Sequence, residues 1–406
     1  MAPFVRVATD CSGMEAPIQA MGNLCSTGGL RVLHTMSCDI NPHARKTITA
    51  NFPVAVMYDD LTTRNNKTAP DCDVYISGFP CQPFSAQGLH QGFEDTKGRG
   101  IIFFHCREYI KQKEPKVFVF ENVKGLLCKN MGDYFASILK ALDDLAIYNV
   151  HYRILDTKEH GVPHSRQRCY IVGIRKDVDK GNFAWPDKIE MPSIEDFLEA
   201  RDPRIASKGA ASLPPKSAST ARKNVINALR RYAKEDPFKE TFIVDCDSTV
   251  SRSGTMKGLS PCITCGRGKG HWVTSRGRRL LKEEMFRLQG MNPSTFKVAV
   301  PESELGKQLG NTMSVNVLER LFVRLLPAAG LCGSLRDRWA DGSALKVLRS
   351  TRGKGFARHV EEASAPRTPP ARAARALRSE SPPTPKRKRG SSLGAVASLA
   401  RKRARA

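Results

Sequence analysis

The sequence predicts an α/β protein built on an open, mostly parallel β-sheet. Over residues 1–176, short runs of β-branched and aromatic residues alternate with longer helical segments, the order of elements that produces parallel strands. Apolar runs such as Val74–Ile76 and Lys116–Phe120 are typical of buried strands, and polar or reactive residues follow directly after them. Since open α/β sheets bind ligands at the carboxyl ends of their strands, we expect the functional site at that edge.

The first three predicted strands place a glycine and two carboxylates at this edge. The strands and the residues that follow them are 4–8 with Ser12 and Gly13, 31–37 with Asp39, and 54–57 with Asp60. A strand, a turn containing Gly13 and a helix to about Met21 open a nucleotide-type βαβ unit, with an ordinary strand–helix turn as the alternative. An acid after the second strand is placed to accept hydrogen bonds from ribose hydroxyls. Together these strand ends predict a pocket for an adenosine-containing cofactor.

The fourth predicted strand ends in a loop that presents a cysteine. Val74–Ile76 is followed by the sequence SGFPCQP, in which Pro80 and Pro83 flank Cys81 at close range. Prolines also restrict the residues before them, so we expect a stiff loop that aims the thiol. A lone cysteine is more often a small buried hydrophobe, and that is the alternative for Cys81. The polar, glycine-rich segment Gly88–Gly100 comes next and is expected to be a mobile flap.

A carboxyl group and two arginines accompany the later strands. The predicted elements are a helix over 101–113, a strand over 116–120, a helix over 134–145, and strands over 150–155 and 169–174. Glu121 follows an apolar run directly, so we expect it at a strand end rather than on the surface. Arg166 and Arg168 are spaced by one residue at a strand entry, and they therefore share a face and can point into one site.

From about Asn182 the alternation of strands and helices breaks down, and the region to residue 277 is predicted to be irregular. Lys216–Lys234 holds six lysines and arginines and no acid, and Lys257–Lys282 holds seven and no acid. Basic, glycine-rich loops suit contacts with phosphates, with a solvated basic face as the alternative. Cys262 and Cys265 form a CxxC, but no second pair has the spacing of zinc ligands, so no metal site is predicted.

The chain then returns to a globular pattern and ends in a basic tail. Residues 280–290 predict an amphipathic helix, and a second helix ends near Leu326. Beyond about Asp341 alanine, serine, proline and arginine dominate, so residues 341–406 are predicted to be disordered. The sequence PKRKR at 385–389 resembles a nuclear-import or nucleic-acid-binding patch and favours the nucleus.

Net charge and cysteine content indicate the kind of binding partner and the cellular compartment. The formal net charge is +25, and residues 331–406 hold 19 basic and 5 acidic side chains. Because the rest of the chain is basic as well, we expect a polyanion to bind the folded part and not only the tail. Twelve cysteines without a paired framework favour a reducing intracellular compartment. No hydrophobic run is long enough to span a bilayer, so no membrane partner is expected.

These residues resemble the motifs of the C5-cytosine DNA methyltransferases over residues 4 to about 326. The most specific pieces, in the family's order and spacing, are GFPCQPFS (78–85), ENVKG (121–125), RQR (166–168) and QLGNTMSVNV (308–317). The resemblance implies a Rossmann-like methyltransferase domain over 1–181, a smaller target-recognition domain over 182–277, and a segment over 278–330 that completes the catalytic domain. It also implies S-adenosylmethionine as cofactor and double-stranded DNA as partner.

The resemblance implies a role for each matching residue. Cys81 would be the nucleophile and Glu121 the cytosine-binding acid, with Arg166 and Arg168 as supporting groups. The implied cofactor-binding residues are Ser12, Gly13, Asp39, Ile40, Asp60, Leu61, Pro80, Asn311 and Thr312. The chain departs from the family's pattern in the first motif, which has Glu15 and Ala16 where glycine is usual, and at His164, which replaces a commoner glutamine.

The implied chemistry explains these residue types. Cytosine C5 is a poor nucleophile until a thiolate adds at C6, and a protonated Glu121 would hydrogen-bond N3 as charge develops on the ring. Nearby arginines would favour the Cys81 thiolate. None of these atoms is reachable inside a duplex, so the cytosine would be flipped out, at a cost of a few kcal/mol.

Three other functions compete with this interpretation. A tRNA cytosine methyltransferase of the same superfamily would carry a Cys-Phe-Thr signature in the recognition region, and this chain has none. A catalytically silent DNA-binding scaffold would be expected to lack Cys81, Glu121 or an arginine, and all are present. A nicotinamide-dependent oxidoreductase would explain the βαβ opening but not the other three motifs together.

Overall fold

The computed structural model describes residues 4–80, 101–127, 132–202 and 213–357. Cys81 and the predicted flap at 88–100 lie outside the described residues. Residues Met1–His359 belong to one compact unit. No helix in the described ranges is both long enough and apolar enough to cross a membrane.

A seven-stranded sheet forms the centre of this unit. Its strands are β1 (Phe4–Asp10), β2 (Arg31–Cys38), β3 (Val56–Tyr58), β4 (Val74–Ser77), β5 (Val117–Val123), β6 (Tyr148–Asp156) and β7 (Gln167–Arg175). The strand order is β3-β2-β1-β4-β5-β7-β6, with β1 to β5 parallel and β7 antiparallel to both β5 and β6. The predicted open, mostly parallel α/β sheet is confirmed.

Helices cover both faces of this sheet, and the strand sequences show why. The helices between the strands of this sheet are α1 (Ala16–Cys25), α2 (Pro42–Asn51), α3 (Ile102–Lys113) and α4 (Gly132–Asp143). Val117 and Val119 of β5 pack in one hydrophobic cluster, whereas Phe118 and Phe120 pack in the cluster on the other face. Because side chains alternate along a strand, an unbroken apolar run fills two cores at once.

The predicted irregular region, 182–277, contains regular structure. It holds α5 (Ser219–Arg231) and the strands β8 (Phe242–Val244), β9 (Thr255–Lys257) and β10 (Trp272–Val273), which β11 (Arg278–Arg279) completes as a four-stranded sheet. The strand order is β11-β10-β8-β9, and every pair is antiparallel. Strands of two or three residues are too short to leave an alternating pattern, so the sequence gives no signal for them.

The last described segment is largely helical. The helices here are α6 (Lys282–Arg287), α7 (Glu302–Asn311), α8 (Val315–Ala328) and α9 (Ser343–Arg349). The prediction that residues 341–406 are disordered is wrong for 341–357, because α9 lies there and buries Ala344 and Leu348. Ala344 and Leu348 pack in the same cluster as Trp339. The prediction missed them because it used the composition of the whole tail, in which apolar residues are few. Residues 358–406 lie outside the described part of the chain.

Candidate active site

A cleft at the carboxyl ends of β1, β2 and β3 unites five of the predicted cofactor-binding residues. It encloses 480 Å³ and is lined, among others, by Asp39, Ile40, Asp60, Leu61 and Pro80. The side chain of Ile40 is 76% exposed, which is unusual for a large apolar residue. An exposed aliphatic side chain between two carboxylates matches the needs of an adenosine group, which has an apolar ring and a polar ribose.

The two carboxylates are oriented by backbone N–H groups. Asp39 Oδ2 accepts a hydrogen bond of 2.8 Å from Gly13 N, and its Oδ1 accepts one of 2.8 Å from Asn41 N. Asp60 Oδ1 accepts from both the backbone and the hydroxyl of Thr62. Each acid therefore has a fixed direction and retains acceptor capacity for a ligand hydroxyl.

The remaining predicted cofactor residues line a narrow crevice next to this cleft. The crevice is lined by Ser12, Gly13, Asn311 and Thr312, and Cys11 contributes to both spaces. Thr312 Oγ1 is buried and has no hydrogen-bond partner within the described residues, so a polar atom there would satisfy it. The Ser12 hydroxyl instead bonds the Thr9 and Cys38 carbonyls at 3.2 and 3.1 Å, which ties β1 to β2.

Glu15, one of the departures from the family's first motif, has a structural role beneath the crevice. Its backbone has φ 54°, a left-handed conformation that glycine adopts more readily. The side chain is fully buried, and Oε1 accepts hydrogen bonds of 2.6 and 2.5 Å from Thr9 and Ser37. These two bonds hold the loop in the strained conformation, so this chain can do without a glycine there.

Glu121 lies within β5 rather than after it, because the strand continues to Val123 and pairs Glu121 with Tyr170. Arg168 Nε lies 3.1 Å from Glu121 Oε1, yet this buried oxygen has no well-directed hydrogen-bond partner within the described residues. Burial raises the pKa of Glu121, although Arg168 and Arg166 oppose that change. Burial therefore makes this carboxyl easier to protonate than one in water, while the two arginines favour its charged form.

The two predicted supporting arginines differ in what they contact. Arg168 is partly exposed and faces Glu121. Arg166 is 2% exposed and donates to the carbonyls of Ile263, Gly310 and Thr312, at 2.9, 3.3 and 2.6 Å. It thereby joins the region after β9 to the end of α7. Arg166 is a structural clamp beside the site, whereas Arg168 contacts the acid itself.

Asn122 positions the entry to the Cys81 loop. Its side chain is buried, and Nδ2 donates a hydrogen bond of 3.3 Å to the Phe79 carbonyl. The Phe79 ring packs against Phe103 and Phe120, with centroids 5.6 Å apart in both pairs. The residues that precede Cys81 are therefore fixed beside Glu121. Sequence reasoning did not assign a role to Asn122, although it lies in the ENVKG motif.

His164, the second departure from the family's pattern, fixes the segment that faces the arginines. Its Nδ1 lies 2.9 Å from the Leu288 carbonyl, and its Nε2 accepts a hydrogen bond of 3.0 Å from Ile263 N. Burial, with help from Arg166 and Arg168, lowers the pKa of His164 to about 3, so the ring is neutral. A neutral ring can donate at one nitrogen and accept at the other, as this position requires.

Most arginines of the predicted phosphate-binding segment, 257–282, are already paired with acids. The pairs are Arg267 with Asp245, Arg276 with Glu195, Arg278 with Glu284, and Arg279 with Asp247. The basic residues of α5 are more available, since Lys223, Arg230 and Arg231 are exposed. Within the described ranges, no three His, Cys, Asp or Glu side chains form a group that could hold a metal ion.

Solved structures share the fold of this chain. The chain is similar to Entamoeba histolytica EhMeth with a TM-score of 0.56 and 18% identity, covering 80% of this chain and 98% of that one. It is similar to S. pombe Dnmt2 methyltransferase with a TM-score of 0.53 and 19% identity, covering 80% and 98%. These likenesses show the fold, an α/β fold with a cleft suited to an adenosine group at its strand ends.

The family follows from the sequence comparisons. The model of the C-5 cytosine-specific DNA methylase family matches residues 10–326, and the chain belongs to this family. It is 32% identical to the type II methyltransferase M.NgoBI of Neisseria gonorrhoeae over 72% of this chain and 88% of that protein. It is 28% identical to M.HhaI of Haemophilus parahaemolyticus over 64% and 77%. Enzymes of this family use S-adenosylmethionine as methyl donor, and the cleft and crevice fit that cofactor.

Proposed function

We propose that this protein methylates C5 of a cytosine in double-stranded DNA, with Cys81 as nucleophile and Glu121 as the acid that binds the base. The observation that carries the proposal is the Glu121 carboxyl. It is buried, its pKa is raised, and its Oε1 meets Arg168 Nε at 3.1 Å without a well-directed hydrogen bond. Cytosine N3 is an acceptor that a protonated carboxyl can satisfy, and the bond strengthens as negative charge develops on the ring.

The chemistry requires a thiolate and an acid on opposite parts of the same ring. The Cys81 thiolate adds to C6, and the electron pair displaced from the C5–C6 bond is stabilised by proton donation from Glu121 to N3. C5 becomes nucleophilic in this adduct and takes the methyl group. S-adenosylmethionine, when bound, supplies that methyl as an electrophile. Loss of the C5 proton to a base, departure of the sulfur from C6 and return of the N3 proton to Glu121 restore the neutral aromatic ring.

Three side chains support these steps by position. Asn122 holds the backbone before Cys81, and Arg168 faces the Glu121 carboxyl from the neighbouring strand. Asp39 lies in the cofactor cleft, where its carboxylate suits the ribose hydroxyls. Because cytosine C6 and N3 are stacked and paired inside a duplex, the target base must turn out of the helix to reach Glu121.

The exposed basic face of α5 supports DNA as the polyanion. Arg230 and Arg231 line a groove of 340 Å³ together with Asn227, Ser253 and Thr255. Asn224 anchors this helix, since its buried amide donates to the carbonyls of Cys246 and Ser248 at 2.9 Å each. Guanidinium groups on a fixed helix, with the hydroxyls of Ser253 and Thr255 across the groove, suit phosphate contacts, which orient a protein on a backbone without reading its sequence.

The test is transfer of labelled methyl from S-adenosylmethionine to duplex DNA, single-stranded DNA and tRNA. We expect 5-methylcytosine in duplex DNA, no transfer by Cys81→Ser, and a rate about 10²- to 10³-fold lower for Glu121→Gln, which cannot release a proton to N3. Cys265→Ser, which changes an exposed thiol, should retain the wild-type rate. Methylation of tRNA alone would overturn DNA as substrate, and wild-type activity in Cys81→Ser would overturn the mechanism.

We also propose that the protein acts in the nucleus, on the basis of the PKRKR sequence at 385–389. A fluorescent fusion of the full chain should accumulate in nuclei. Replacing the lysines and arginines at 386–389 with alanine should redistribute it. An unchanged distribution in that variant would contradict the assignment.

A further inference from the structure

Cys262 lies against both arginines of the active site. Its sulfur is 3.7 Å from Arg166 Nη1 and 3.8 Å from Arg168 Nη2, within hydrogen-bond range for sulfur. Arg168 Nε is in turn 3.1 Å from Glu121 Oε1. The Arg168 guanidinium therefore lies between a thiol and the carboxyl that we assign to base binding.

The backbone holds the sulfur in this place. Ser260 N donates to the Pro163 carbonyl at 2.9 Å, and Ser165 N donates to the Ser260 carbonyl at 2.8 Å. One residue beyond Cys262, Ile263 donates to His164 Nε2 and accepts from Arg166. Contacts on both sides thus fix Cys262, so its position beside the arginines is part of the fold.

The charges around Cys262 indicate what its sulfur does. The Arg166 guanidinium is fully buried, its Nε has no hydrogen-bond partner within the described residues, and its other described partners are neutral carbonyls. If Glu121 carries a proton for the base, it supplies no negative charge here. The buried Arg166 guanidinium then needs a nearby anion, because a buried charge without a counter-charge is costly.

We propose that Cys262 is a positioning residue whose sulfur, carried as the thiolate, is the counter-anion of Arg166 and Arg168 and keeps the proton on Glu121. The expected effect on catalysis rests on the proposed function. The pairing of the Cys262 thiolate with the two arginines does not depend on it. Consistent with it, the pKa of Cys262 is lowered although burial, the largest influence, acts in the opposite direction, because both arginines stabilise the thiolate.

The charged and titratable groups around the sulfur come from three elements. Glu121 is on β5, Arg168 is on β7, and Arg166 directly precedes β7. His164 is neutral, as shown above, and His271 Nε2 lies 3.4 Å from the Cys262 carbonyl, with a pKa that burial lowers to about 4. Above pH 6 both rings are therefore neutral, and the arginines and Glu121 set the charge at this position.

The first measurement is the pH dependence of iodoacetamide alkylation at Cys262, followed by peptide mass spectrometry. Residues 258–267 form one tryptic peptide, and fragment ions distinguish Cys262 from the exposed Cys265. We expect half-maximal reactivity of Cys262 below about pH 8.5, the ordinary thiol value, and a shift to higher pH in Arg168→Gln. A midpoint at or above that value in the unmodified chain would overturn the proposal without reference to catalysis.

The second measurement is the pH profile of single-turnover methyl transfer at saturating DNA and cofactor. Cys262→Ser should move the high-pH limb, where Glu121 loses its proton, down by about one unit, because a neutral hydroxyl no longer opposes ionisation of the carboxyl. Cys262→Asp restores an anion and should return the limb toward the wild-type position. Cys265→Ser should leave the profile unchanged.

The outcomes separate this proposal from the proposed function. A low alkylation midpoint with an unmoved limb in Cys262→Ser would overturn the positioning role, even if the thiolate exists. A low midpoint in a protein that methylates no nucleic acid would instead overturn the proposed function and leave the arginine–thiolate pairing intact. If Cys262→Ser fails to fold, the alkylation midpoint of the unmodified chain and the profile of Cys262→Asp still decide.

Discussion

Replacement by methionine should have different effects at Arg166 and Arg168. It should mainly lower stability at Arg166 and mainly lower activity at Arg168. In Arg166→Met, the carbonyls of Ile263, Gly310 and Thr312 lose their guanidinium donor in a buried place. An unsatisfied buried acceptor costs about 1–3 kcal/mol, and the lower value applies to carbonyls, which have two lone pairs. The three together predict a loss of about 3 kcal/mol in the free energy of unfolding, hence a Tm lower by about 4 °C for a unit of this size.

Arg168→Met should cost much less stability and much more activity. The Arg168 side chain is partly exposed, and the Glu121 that it leaves behind can take up a proton, since burial already raises the pKa of that carboxyl. We therefore expect a Tm change of about 2 °C or less, together with a fall of about 10²-fold or more in the single-turnover rate.

The assay is thermal unfolding followed by circular dichroism, with single-turnover methyl transfer measured on the same preparations. Both substitutions remove one guanidinium and keep an unbranched side chain, so each variant is the control for the other. An equal loss of Tm in the two variants, or a larger loss in Arg168→Met, would refute the assignment of Arg166 as the clamp.

Two further predictions concern the cofactor cleft and Glu319, a buried acid of α8. Asp39→Asn should weaken binding of S-adenosylhomocysteine by about 10- to 100-fold in calorimetry, because a charged acceptor is lost, while the exposed Asp59→Asn should not. Burial raises the pKa of Glu319 to about 7, above the value of about 4.3 in an unfolded chain, so the folded state holds a proton that the unfolded state releases. The contribution of this proton to stability is complete below about pH 4 and is lost as the pH rises to about 7, and Glu319→Gln should remove that slope from denaturation curves; an unchanged slope would contradict the assignment.

Local patterns in the sequence predict the sheet and the residues at its strand ends. Asp39 and Asp60 could be found because each comes just after an apolar run, and the carboxyl ends of parallel strands meet at one edge. Glu121 could be found for the same reason, although β5 continues past it to Val123. These predictions needed only the period of the strand and the direction of the chain.

Contacts between distant parts of the chain could not be predicted in this way. His164 and Ile263 are 99 positions apart, and Arg166 and Thr312 are 146 apart, so no local period relates them. The helix α9 was missed for a different reason. Its few buried residues, such as Leu348, are diluted by the basic and proline-rich chain that follows.

The spacing of the two arginines also explains how the site depends on the rest of the fold. A spacing of two residues places both side chains on one face, but the structure gives them different depths: Arg166 is enclosed and Arg168 is partly exposed. Arg166 is held by Ile263, from the region between α5 and α6, and by Thr312, next to the cofactor crevice. The position of Arg168 beside Glu121 therefore depends on correct docking of both segments. A protein built in this way can complete its active site only after the chain has passed through residues 182–277 and returned to the sheet.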